Sequence, residues 1–114
     1  MNAILIKMIL EQAKKEPKIN VVLLRQLTVT KLAETYTTLM RDAIGVKPNE
    51  EADFLALSEE MFALVNEDFQ QIYEAAYDKN RQQFDIAKLE QLYQVESIRE
   101  DKNVKRNFLL PFFD

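Results

Sequence analysis

LTVTKLAETYTTLMRDAIG, residues 27–45, decides the fold. Two readings compete for it. In one, Leu32-Ala33-Glu34 belongs to the first helix of a DNA-reading helix-turn-helix; in the other, the whole stretch is a single bundle helix. A helix-turn-helix needs a turn between its helices, often at glycine. Here that turn would fall near Thr37, where nothing breaks a helix. Gly45 and Pro48 would then end the recognition helix almost as soon as it began, with Arg41, beside Asp42, as its one base-reading cation. One uninterrupted helix satisfies the same residues. Leu24, Leu27, Leu32, Tyr36, Leu39 or Met40, and Ala43 recur at helical spacing and form one apolar stripe. Threonines at 28, 30, 35, 37 and 38 lower the intrinsic helix preference, so packing has to hold the helix together.

Working outward, Asn20 is placed to cap that helix, with Ile19 and Leu24 as a hydrophobic staple. Before it, Ile4, Leu5, Met8, Ile9 and Ala13 predict a helix over residues 2–15, stopped by Pro17. After it, Gly45 supplies a left-handed C-terminal residue and Pro48 prevents continuation. Asn49 is the expected cap of a third helix, with Glu50, Glu51 and Asp53 in its first turn, where the helix dipole favours negative charge. Its stripe is Phe54, Leu57, Met61, Leu64 or Val65, Phe69, Ile72 and Ala76, reaching residue 78, and Asn66-Glu67-Asp68 is a point at which it can break. Asp78 to Arg81 reads as a turn. Asp85 caps a fourth helix over 85–102, stapled by Phe84 and Leu89, with Ile86, Leu92 or Tyr93, and Val95 or Ile98 facing inward.

Turn-makers are scarce, with one glycine and three prolines in 114 residues. A sheet-rich fold needs many more residues at positive φ than this chain supplies. The expected fold is therefore all-α: a four-helix up-down bundle forming a single domain over 1–114, with a Phe-rich tail, 107–114, packed on the bundle or on a partner.

Composition narrows function by exclusion. Hydrophobic residues are 47% and charged ones 30%, which suits a globular chain. Neither cysteine nor histidine is present. Disulfides, zinc–thiolate sites and cysteine nucleophiles are thereby ruled out, as are the commonest general base and the commonest transition-metal ligand. Lys7 interrupts the first apolar run, so the start does not read as a signal peptide. No window approaches the roughly 20 apolar residues of a membrane span. A cytoplasmic protein with no membrane association is the expectation.

Charge is unevenly distributed. Residues 1–49 carry a net +4, residues 50–78 a net −9 with no base at all, and residues 79–114 a net +1. A chain of net −4 is repelled by phosphate. Lys14, Lys15, Lys18, Arg25 and Lys31 make a basic N-terminal half, the basis of an alternative reading as a nucleic-acid-associated helical protein. No aromatics interleave with those bases to stack on nucleotides, so nucleic acid is the weaker expectation.

Two features point to a protein partner. Asp53, Glu60, Glu67 and Glu74 recur every seven residues and so lie along one side of the third helix. Such a row either faces solvent and complements the basic first and second helices, or docks on a basic partner in the manner of a nuclease-blocking immunity protein. The second feature is the apolar end, where Phe108, Leu109, Leu110, Phe112 and Phe113 crowd around Pro111. It folds back as a lid or serves as a binding or dimer-forming arm. Leu109-x-x-Phe112-Phe113 is similar to the apolar half of sliding-clamp-binding peptides. Arg106 stands where those have Gln, and the likeness assigns no family.

Carboxylates alone, such as Glu59 and Glu60, are a poor basis for a metal site: di-iron bundles need histidine, and calcium loops need a glycine within alternating oxygen ligands. No nucleophile has an evident base partner. A carboxylate-metal enzyme is the remotest alternative. The expectation is a non-enzymatic helical protein without cofactor, metal or catalytic residues. It would act on an unidentified protein partner or on a second copy of itself, as an accessory factor or inhibitor of bacterial or phage type.

Overall fold

The computed structural model describes residues 2–103. Helix α1 is Ala3–Lys15 and α2 is Val21–Ile44, followed by a 3₁₀ turn at Pro48–Glu50. Helix α3 is Glu51–Ala76, then come strands β1, Tyr77–Asp78, and β2, Gln83–Phe84, and helix α4 is Ile86–Asn103. The fold is all-α and bundle-like, and the stretch 27–45 lies within one unbroken helix and its glycine cap. The tail 107–114 lies outside the described residues.

Local chemistry sets most boundaries. The Asn20 carboxamide accepts from the backbone N–H groups of Val22 and Leu23 at 2.8 and 3.2 Å, and Asp85 accepts from Lys88 N–H at 3.3 Å. Asn2 does the same for Leu5 at 3.1 Å. Gly45 closes α2 in the left-handed region at φ 61°, its N–H donating to the Arg41 carbonyl, and a Cβ there would meet open space. Asn49 is not the cap of α3. It sits inside the 3₁₀ turn that Pro48 initiates, and α3 starts after Glu50 with no side-chain cap bond. Asn66 causes no break, and α3 runs continuously to Ala76.

Helix lengths then dictate the packing. α2 and α3 have 24 and 26 residues, whereas α1 and α4 have 13 and 18. At about 1.5 Å per residue the long pair spans about 36–39 Å and α1 only about 20 Å. α2 packs chiefly on α3, and α1 chiefly on α4. The core therefore gathers towards one end, around Leu5, Ile6 and Ile9, Leu24 and Val29, Phe69 and Ile72, and Phe84 and Leu89, all almost wholly excluded from water. Phe69 stands edge-on to Phe84, ring centres 6.4 Å apart.

Several residues of the expected stripes are not inside. Leu27, Leu39 and Ala43 of α2 are exposed, and Thr28, Val29 and Ala33 are buried instead. Thr28 tolerates burial because its hydroxyl donates to the Leu24 carbonyl at 2.8 Å. Leu39 and Ala43 are exposed because α1 is too short. The Asn2 side chain, at the start of α1, already meets the Tyr36 hydroxyl at 3.0 Å, and beyond that level α1 offers no further turn. Leu57 of α3 is likewise exposed, and of Leu64 and Val65 it is Val65 that is buried. In α4 both Val95 and Ile98 face out while Glu96 takes the buried position between them.

The link 77–84 is a hairpin in miniature, pairing Tyr77 with Phe84 and Asp78 with Gln83. It forms without glycine. Asp78 Oδ1 accepts from the N–H groups of Asn80 and Arg81 at 2.9 and 3.2 Å, and Gln82 takes the positive φ of 56°. A left-handed residue with a side chain costs about 1–2 kcal/mol, partly recovered as lower unfolded-state entropy than glycine's. Gln82→Gly is expected to raise the thermal midpoint by about 2–5 °C in calorimetry. Phe69→Ala is expected to lose about 3–5 kcal/mol in urea titration, the cost of a large cavity in the core.

Candidate protein-binding site

Beyond the end of α1, α2 and α3 continue as a hairpin whose apolar side chains have no helix over them among the described residues. Leu39 is 60% exposed, Ile44 64%, Leu55 56% and Phe62 45%. Scattered apolar residues on a surface need no explanation; a set that lines one groove is a candidate interaction surface, and Leu55 and Phe62 form such a set.

On one side of this hairpin the two helices enclose an open groove of about 570 Å³. Its α2 wall is Thr30, Ala33, Glu34, Thr37, Thr38 and Arg41, and its α3 wall is Phe54, Leu55, Ser58, Glu59 and Phe62. The helical repeat explains the grouping, since residues three, four and seven apart share a face. α1 meets α2 around Leu27, Thr28 and Lys31, so the groove opens away from α1. Ala33 lets the floor lie deep, and Phe54, Leu55 and Phe62 make it apolar. Thr37 and Ser58 turn their hydroxyls back to the carbonyls of Ala33 and Phe54 at 2.8 and 2.9 Å, which satisfies them within their own helices.

The walls are held by two Arg-over-Phe contacts. Arg41 lies 4.8 Å above the Phe54 ring and pairs with Glu51. Arg25 lies 5.0 Å above Phe69 and donates to Gln70. Each contact joins α2 to α3, one at either end of their seam. A cation over an aromatic face contributes about 0.5–2 kcal/mol.

The acidic helix is not neutralised by the basic ones. Among the described residues Arg41–Glu51 is the one ion pair between α2 and α3, and Lys14 pairs instead with Glu90 of α4 at 3.3 Å. Asp53, Glu60, Glu67 and Glu74 are all exposed and, as their spacing requires, follow one side of α3. That side is distinct from the groove face. Two of the basic residues of the N-terminal half are already engaged: Lys14 is paired with Glu90, and Arg25 is folded against Phe69. Phe108, Leu109, Leu110, Phe112 and Phe113 lie outside the described residues.

No group of three or more acidic side chains among the described residues could hold a metal ion, and no described helix is long and apolar enough to cross a membrane. Comparison with protein-family models, with curated proteins and with solved structures finds no match.

Sequence reasoning missed the groove residues Glu34, Leu55, Glu59 and Phe62. A signal was present: Leu55 and Phe62 are seven apart and repeat beside the Phe54 stripe, a second apolar row that is exposed in the structure.

Asp68 lies further along α3, outside the groove lining. It is half-buried on α3 with no hydrogen-bond or ion-pair partner among the described residues. Its pKa is raised above the ordinary carboxyl value, chiefly by burial, with the N-terminal amino charge opposing the rise and the charges of Glu67 and Glu96 adding to it. The folded protein thus binds this proton more tightly than the unfolded chain does. Stability from Asp68 is present below the ordinary carboxyl range and is lost as pH rises through the raised value. Asp68→Asn is expected to stabilise the protein at neutral pH, the gain vanishing in acid where both side chains are neutral. Urea titrations across pH check this.

Proposed function

We propose that this protein works by binding another protein and performs no chemistry of its own. The observation that supports this reading is the end of the α2–α3 hairpin beyond α1, where an apolar groove and unneutralised acids stand in water together among the described residues. Such a surface costs solubility and adds nothing to the core. Closing Leu55 and Phe62 against a partner would recover about 25 cal/mol for each Å² of apolar surface removed from water. The acidic row Asp53, Glu60, Glu67 and Glu74 gives a basic partner a second contact edge, and the apolar tail residues Phe108 to Phe113 remain a further candidate contact. The action is that of an accessory factor or inhibitor, with self-association as one form of it.

The test compares the wild type with Leu55→Ser/Phe62→Ser in affinity capture from the native source, with light scattering for oligomer mass. The double variant is expected to keep its thermal midpoint within about 3 °C, because both side chains are exposed. It is also expected to lose a partner, or oligomer mass, that the wild type retains. A variant that folds and retains everything the wild type retains overturns the reading.

A further inference from the structure

We infer that the α2–α3 groove receives an amphipathic helix with basic residues on both flanks of its apolar stripe. The inference rests on the reading that the hairpin is a protein-binding surface, and it specifies the partner's chemistry.

The shape comes first. From Thr30 to Arg41 the α2 wall runs about 16 Å, which is about three helical turns. Its floor is apolar along that length, through Ala33, Phe54, Leu55 and Phe62. Both walls are helices whose backbone groups are satisfied internally, so neither offers a strand edge for an extended peptide to pair with. A helix laid between them, anchored by residues at i, i+3 or i+4, and i+7, matches such a groove.

Charge then selects among helices. Glu34 stands on the α2 rim and Glu59 on the α3 rim, both exposed and neither in an ion pair among the described residues. Arg41 at the groove's end is already taken by Phe54 and Glu51. Residues 34–60 carry seven acids and two bases. The rims thus present negative charge on both sides of an apolar floor, and the complement is an apolar stripe flanked by Lys or Arg on both sides. Two copies joined groove to groove would bring Glu34 and Glu59 of each against those of the other, which repels. Phosphate of a nucleic acid or of an anionic membrane is repelled in the same way.

The probe is a fluorescent peptide of about 18 residues, built from Lys, Leu and Ala as a helix with one apolar face, and titrated against the full chain. Saturable binding is expected, weakened about tenfold by Glu34→Lys/Glu59→Lys and similarly by Phe62→Ser. The same charge change away from the groove, Glu67→Lys/Glu74→Lys, is expected to act much less. Equal weakening by both charge variants, or equal binding of a scrambled peptide without an apolar face, overturns the inference in favour of bulk charge attraction. A wild-type dimer that Phe62→Ser splits also overturns it, by assigning the groove to a second copy. If the partner captured from the native source is lost in Leu55→Ser/Phe62→Ser yet retained by Glu34→Lys/Glu59→Lys, the binding surface stands and the basic-helix partner does not.

Discussion

A length mismatch governs this molecule. Two helices of 24 and 26 residues share a seam, and neighbours of 13 and 18 residues are available to cover it. Burial of apolar surface dominates folding stability, so the four helices condense where all can contribute, around Leu5, Ile9, Leu24, Phe69, Ile72 and Leu89. Among the described residues, the remainder of the long pair has only itself to pack against. The radius of gyration, 16.0 Å, records the result, since a compact chain of this length has about 13 Å.

A lone helical hairpin is marginal in water, and this one is braced at points where α2 and α3 face each other. The Arg41–Phe54 and Arg25–Phe69 contacts sit at opposite ends of the seam and each links a cation on α2 to a ring on α3. Back-bonded hydroxyls at Thr37 and Ser58 allow small polar residues to line the same seam without unmet hydrogen bonds. The seam is therefore narrow and polar at its margins. That geometry leaves larger apolar residues, Leu55 and Phe62 among them, exposed along the groove.

Much of this was legible in the residues. Caps at Asn20 and Asp85 and the left-handed Gly45 mark helix ends by local chemistry, and each is where its side chain or lack of one requires. Periodicity correctly placed Leu24, Leu32, Phe54, Phe69, Ile72 and Leu89 on inward faces. It failed at Leu39, Ala43, Leu57, Val95 and Ile98, because a stripe defines a direction around a helix and not how far a neighbouring helix extends alongside. That information depends on where α1 ends relative to α2, fixed in the folded chain by the Asn2–Tyr36 contact. The acidic row was visible as spacing, whereas the groove needs two helices in register and emerges only with the tertiary structure. Asn49 failed for a local reason, since Pro48 sets up a 3₁₀ turn that absorbs it.

The open space around Gly45 has a consequence for engineering. Among the described residues nothing lies within 4 Å of the place a Gly45 Cβ would take. Foreign sequence spliced between Gly45 and Pro48 would perturb neither the fold's centre nor the groove walls, which start at Arg41 and Phe54. A tethered fluorophore or a genetically inserted reporter could ride there as cargo, making the tip a natural handle for watching the protein meet whatever it recognises.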